Sequence, residues 1–150
     1  YIIVGDQADV NYFRSLKNLA ERSGTADKVR FLHNISDAEL INQYYNSDLF
    51  LLTPVSDLGE FEGYGLVYLE ANACGLPVIG TTGSGAEEAI KNNLSGLLAE
   101  PSIDNIANAI LKLYSDDKLR SSLAKTGIEW AKARGWKNTA SEYAHLYDLE

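Results

Sequence analysis

At 150 residues, 45% of them hydrophobic, the chain is long enough for one domain with a real core, and no apolar run reaches the length of a membrane span. A formal net charge of −8 argues against a broad nucleic-acid surface. The single cysteine, Cys74, rules out an internal disulfide and suits a reducing, cytoplasmic compartment.

The chain opens inside an apolar run and contains no methionine, as expected of an excised or processed segment. Tyr1 to Val4, closed by Gly5, reads as a strand buried on both faces. Val10, Phe13, Leu16, Leu19 and Ala20 recur at helical spacing between Ala8 and about Ser23, and Gly24 ends that helix. Val29 to Leu32 is a second strand. Ser36-Asp37-Ala38-Glu39 resembles a capping box opening a helix to Tyr45, with Leu40, Ile41 and Tyr44 as its apolar positions. Leu49 to Thr53 is a third strand, ended by Pro54. A helix is expected to run to about Cys74, which is read as a small buried helix residue rather than a nucleophile. Pro77 to Thr81 is a fourth strand, followed by a Gly-Ser-Gly turn and a helix through Ile90. Asn92 to Leu98 makes a turn and a short last strand.

Beyond Leu98 the chain is helical. Ile103, Ile106, Ala107, Ile110, Leu111 and Tyr114 form one stripe. Asp116 and Asp117 suit the next helix start, and Leu119, Leu123, Ala124, Ile128 and Ala131 continue it to Gly135. Trp136 opens a final helix with Ala140, Tyr143, Ala144 and Tyr147 on one side, read as core or domain contact. His145 on that helix is read as surface or packing.

Strands alternating with helices at this rhythm indicate an α/β fold, a Rossmann-like parallel sheet with flanking helices. Such sheets bind ligands beyond the carboxyl ends of their strands. The loops Gly5 to Ala8, His33 to Ser36 and Pro54 to Gly65 are expected at such ends.

The third of these loops runs into the most informative stretch, Glu62-Gly63-Tyr64-Gly65-Leu66-Val67-Tyr68-Leu69-Glu70. Its glycines permit a sharp turn and close backbone approach to a ligand. The helix behind them presents unpaired N–H groups and the positive end of its dipole, an anion site. Glu70 is expected on a face set by packing of Leu66, Leu69 and Ala73. The bland reading of two carboxylates eight residues apart is a solvated face, with Glu62 in solvent and Glu70 a dipole partner.

The whole segment from Glu62 to Gly80 resembles the E-x7-E segment of retaining GT-B glycosyltransferases of the GT4 type (glycosyl transferases group 1). There a glutamate, glycine, aromatic and glycine lead into an apolar helix with a second glutamate, then glycine-x-proline and a strand. The resemblance covers essentially the whole chain and implies the C-terminal, donor-binding lobe. It implies transfer of a sugar from a nucleoside-diphosphate sugar to an acceptor hydroxyl with retention, as in polysaccharide or glycolipid synthesis. Glu62 matches the first motif glutamate, which faces the sugar, and is the catalytic candidate. Glu70 matches the second, which accepts from ribose hydroxyls. The N–H groups of Gly65 and Leu66 are candidates for the diphosphate, with Gly63 and Tyr64 shaping the approach. Ile35 lies where the family's nucleobase loop meets the base, next to His33. Glu88 falls where the family has a glutamate after its glycine-rich turn, and is read as mainly structural. No cofactor and no metal is expected.

Against the same family the acceptor lobe is absent, as are the donor lobe's first strand and helix, which carry a basic pair for the pyrophosphate. The lost strand would lie between the strands at Tyr1–Val4 and Leu49–Thr53, leaving two edges unpaired. Closing up of the strands, a strand exchanged within a homo-oligomer, or residues outside this chain would each repair the gap. A gap or an intermolecular repair is expected, rather than direct pairing of those two strands. The isolated chain is expected to be inactive, its acceptor a glycan or lipid met by the missing lobe, and any membrane association is expected there too.

Three other functions compete with this reading. A glycosidase needs carboxylates flanking a bond from opposite sides, which one continuous segment does not readily supply. A dinucleotide-dependent dehydrogenase needs G-x-G-x-x-G after its first strand, and Gly5-Asp6-Gln7-Ala8 does not provide it. A non-catalytic Rossmann-like module that binds nucleotide or a partner subunit remains the alternative.

Overall fold

The computed structural model describes residues 1–55 and 63–147. In chain order the elements are β1 (Ile2–Val4), α1 (Val10–Arg22), a 3-10 turn (Ala26–Lys28), β2 (Arg30–Leu32), α2 (Asp37–Tyr45), β3 (Phe50–Leu51), α3 (Leu66–Ala73), β4 (Val78–Thr81), α4 (Ala86–Ala89), β5 (Gly96–Ala99), α5 (Ile103–Ser115), α6 (Asp117–Ala133) and α7 (Trp136–Tyr147). This is the expected alternation of α and β. The chain divides into two compact units, Tyr1–Gln43 and Tyr44–Glu150.

In the first unit β1 and β2 pair in parallel, Ile2 opposite Arg30 and Val4 opposite Leu32. Asp9 caps α1, its Oδ1 accepting from the N–H groups of Asn11 at 3.0 Å and Tyr12 at 2.9 Å. Phe13 meets Phe31 of β2 edge to face, with centroids 5.2 Å apart. The inward face of α1 is narrower than its sequence stripe: Phe13, Leu16 and Ala20 are covered, whereas Val10 and Leu19 are exposed. β1 also departs from expectation, since Ile2 and Ile3 are only half-buried and Val4 is exposed. The capping box forms as read. Glu39 N–H donates to Ser36 Oγ at 3.3 Å, while Ser36 N–H at 2.8 Å and the Ser36 hydroxyl at 2.7 Å both donate to Glu39 Oε2, which lowers the pKa of that carboxyl.

The second unit contains a parallel sheet ordered β3-β4-β5, with Leu51 opposite Ile79 and Ile79 opposite Leu97. All of β4 is buried, as a central strand covered on both faces must be. On one face Ile79 and Leu97 pack with Leu113 of α5 and Leu123 of α6, joined by Leu51, Ile110 and Leu119. Tyr68 of α3, Ala86 of α4 and Ile90 crowd the other face at Gly80. Ser102 caps α5 through Asn105 N–H at 3.3 Å, and Asp116 caps α6 through Leu119 N–H at 2.9 Å.

Among the described residues the strands form two hydrogen-bonded ladders, β1-β2 in the first unit and β3-β4-β5 in the second. Several helical stripes are corrected. On α5 the covered positions are Ile106, Ala109, Ile110 and Leu113, at spacings of three and four, while Ile103, Leu111 and Tyr114 are exposed. α4 is a single turn of four residues. α7 contributes no core: Trp136 is 77% exposed, and Tyr143 and Tyr147 are exposed with it. No described helix is long and apolar enough to cross a membrane.

Candidate functional site

The segment between β3 and α3 is where the sequence concentrates its chemistry. Glu62 lies outside the described residues. Gly63 is exposed, with nothing within 4 Å of where a Cβ would stand, and Tyr64 is also exposed. Gly65 is buried and left-handed, at φ 75° and ψ 59°, a conformation that costs other L residues about 1–2 kcal/mol. That turn delivers the chain into α3 at Leu66. Its carbonyl accepts from Tyr68 N–H at 3.0 Å, closing the first turn.

Among the described residues no acceptor meets the N–H groups of Gly65, Leu66 or Val67, and the first turn of α3 holds no acidic side chain. Unpaired N–H groups and an unneutralised dipole converge there, an arrangement suited to an anion.

Glu70 stands on the next turn of α3 and is exposed. The expected packing face is corrected: Leu66 and Ala73 are exposed, and the buried side is Tyr68, Ala71 and Asn72. Glu70 Oε2 accepts a hydrogen bond from Tyr44 Oη at 3.3 Å. Tyr44 is 7% exposed, its ring edge-on to Phe50 at 5.9 Å, and Phe50 is in turn edge-on to Tyr68 at 5.6 Å. Tyr68 Oη donates to the Leu52 carbonyl at 2.7 Å. Burial foremost, then the Glu70 charge and hydrogen bond, pushes the Tyr44 phenol far above its usual pKa, so it stays a donor.

Cys74 is the C-cap of α3 and half-buried rather than inside the helix. Burial, and to a lesser degree Glu70, raises its thiol pKa against a lowering hydrogen bond from Tyr45, which keeps it protonated.

The end of β4 is tied to the start of the same loop. Thr81 Oγ1 donates to the Pro54 carbonyl, and Ser84 Oγ donates to the Thr81 carbonyl at 2.8 Å. Glu87 and Glu88 of α4 are exposed. Behind α3, Asn72 Nδ2 donates to the carbonyls of Leu76 at 2.9 Å and Ser95 at 3.0 Å, and Gly127 of α6 packs directly on that amide. Trp130 Nε1 donates to the Ala89 carbonyl at 2.7 Å, holding α6 beside α4.

Tyr64, Gly65 and Leu66 thus stand at the N-terminal end of α3, with Glu70 one turn further along the helix. Ile35 is half-buried in the other compact unit, immediately before the Ser36 cap. A pocket of about 370 Å³ in that unit is lined by Gln7, Phe13, Lys17, Phe31 and His33. Among the described residues no group of three or more His, Cys, Asp and Glu side chains is placed to hold a metal ion. Tyr44 was legible only as an apolar position of α2. Its partner Glu70 is 26 residues away, and no local pattern links the two.

Comparison with known proteins bears on what this site serves. The family model described as "Glycosyl transferases group 1" matches residues 1–130. A curated relative, the GDP-mannose-dependent alpha-(1-6)-phosphatidylinositol monomannoside mannosyltransferase of Mycobacterium tuberculosis, is 33% identical over 138 residues, covering 89% of this chain and 36% of its own length. Among solved structures, Anabaena Alr3699/HepE in complex with UDP-glucose aligns at a TM-score of 0.79 and 25% identity, over 99% of this chain and 40% of its own. The C-terminal domain of a glycosyl transferase group 1 family protein from Francisella tularensis aligns at 0.71 and 29% identity, over 88% of this chain and 67% of its own. The chain therefore spans little more than a third of the curated relative it matches.

Proposed function

The chain belongs to the glycosyl transferases group 1 family, and from that premise we propose that it is the donor-binding lobe of a retaining glycosyltransferase that uses a nucleoside-diphosphate sugar. The observation that carries the reading is the open N-terminus of α3 behind left-handed Gly65, with the Glu70 carboxylate on the following turn. A leaving diphosphate gains negative charge as the glycosidic bond to it breaks. N–H groups already aimed at that charge stabilise it with little reorganisation. The backbone of Gly65 and Leu66 would take the diphosphate, and Glu70 the ribose hydroxyls. Glu62 would face the sugar, with Gly63 and Tyr64 bordering its approach. The proposal includes no metal.

Support for a nucleotide-sugar donor comes from the names of the matched proteins, one GDP-mannose-dependent and one holding UDP-glucose. The Francisella match is itself a C-terminal domain, which supports the lobe assignment. Transfer to a polysaccharide or glycolipid acceptor, cytoplasmic location, and any membrane docking or strand exchange between copies belong to the same proposal. This chain by itself is expected to transfer no sugar.

Calorimetric titration of UDP, GDP and ADP into the chain, with Glu70→Ala alongside, tests the reading. The expected result is preference for one diphosphate, weakened by Glu70→Ala. Binding of none, or binding indifferent to Glu70→Ala, would refute it.

A further inference from the structure

We propose that Tyr44 is the positioning residue for Glu70, holding one carboxylate oxygen so that the remaining lone pairs accept the hydroxyls of a ribose. Tyr44 is thereby a determinant of ribonucleotide over deoxyribonucleotide binding. The inference rests on the reading of Glu70 as a ribose acceptor and adds to it the group that makes that acceptor specific.

Glu70 by itself is a flexible side chain on an exposed helix face. It has no ion-pair partner among the described residues, where the recorded bridge joins Arg120 and Asp117. The one described hydrogen bond of its side chain is that from Tyr44 Oη to Oε2. A carboxylate offers about four lone-pair sites over its two oxygens. The phenol occupies one of them, leaving Oε1 and part of Oε2 for a vicinal diol.

The donor is well anchored. Tyr44 lies in the last turn of α2 and Glu70 on α3, so the bond joins residues 26 apart in sequence. The Tyr44 ring is fixed by Phe50, Phe50 by Tyr68, and Tyr68 by the Leu52 carbonyl. Burial and the adjacent negative charge keep the phenol protonated, so it does not switch to an acceptor in the working range. The other titratable group of α3 near Glu70, Cys74, is also kept neutral. Glu70 is therefore oriented by one donor while its acceptor capacity stays open.

The test is a set of titrations on this chain with GDP and UDP and with 2′-deoxy-GDP and 2′-deoxy-UDP. The proteins are the wild type, Tyr44→Phe, Glu70→Ala and the double variant. Phe keeps the ring packed on Phe50, and circular dichroism confirms folding. Wild type is expected to favour a ribonucleotide over its deoxy counterpart. Tyr44→Phe is expected to lose about three- to tenfold in ribonucleotide affinity, the scale of one hydrogen bond, with deoxynucleotide affinity unchanged. In the Glu70→Ala background the same change should do nothing further, since the two act as one unit. Equal losses for ribo- and deoxynucleotide would show a merely structural tyrosine and overturn the proposal. An undiminished ribose preference in Tyr44→Phe would overturn it too, leaving the donor site intact. A wild type that binds neither nucleotide, or binds without ribose preference, would instead overturn the underlying reading of Glu70 and this proposal with it.

Discussion

Gly127→Ala is expected to destabilise the chain although it replaces a mid-helix glycine by the best helix former. In an unobstructed helix the change would stabilise by about 1 kcal/mol. Here the added Cβ would stand 2.7 Å from Asn72 Nδ2 and 3.0 Å from Asn72 Cγ. That amide is fully buried and bridges the carbonyls of Leu76 and Ser95. It cannot yield without leaving a buried carbonyl unpaired, at about 1–3 kcal/mol. Overpacking adds about 1–3 kcal/mol. Net of the helix gain of about 1 kcal/mol, the expected loss is about 1–5 kcal/mol, read from urea unfolding with the m-value checked for a single transition. The sign should reverse in an Asn72→Ala background, where the methyl meets no amide and the propensity term of about 1 kcal/mol is left alone. A double-mutant cycle measures the difference. If Gly127→Ala were stabilising by itself, or cost the same with and without Asn72, the contact between α3 and α6 would not be what keeps this position a glycine.

Two further outcomes follow from the site. Gly65→Ala places a side chain at φ 75° and should cost about 1–2 kcal/mol in stability; a neutral result in the same urea assay would contradict the left-handed entry to α3. Tyr44, whose folded pKa is raised by burial and by Glu70, binds its proton more tightly when folded than when unfolded. Its stabilising contribution is therefore complete below the ordinary tyrosine pKa of about 10 and falls as pH rises beyond it. The alkaline decline in urea midpoint should be shallower in Tyr44→Phe, and identical slopes would refute the assignment.

Much of the architecture was legible residue by residue because its causes are local. The Ser36–Glu39 box, the Gly65 turn, the apolar run of β4 and the Asp116 cap all act over a few positions, within reach of sequence pattern. The helical stripes failed where several apolar residues competed for one face. α5 offers more apolar positions than its packing face holds, so Ile103 and Tyr114 were read inward yet lie exposed. The motif from Gly63 to Glu70 was legible through its resemblance to a family, whereas composition and spacing alone allowed an ordinary solvated helix.

Sequence by itself determined the alternation of strands and helices, where most elements begin and end, and that Gly65 must turn the chain into a helix carrying Glu70. Those outcomes depend on backbone preference, capping and short-range periodicity, which each residue expresses with its neighbours. Only the tertiary structure decided that Tyr44 donates to Glu70, that Asn72 occupies the space a side chain at Gly127 would need, and that Thr81 ties β4 to Pro54. Each joins positions at least 26 residues apart. Such pairs are selected by the packing of whole elements around a shared core, and no local sequence pattern specifies which members will meet.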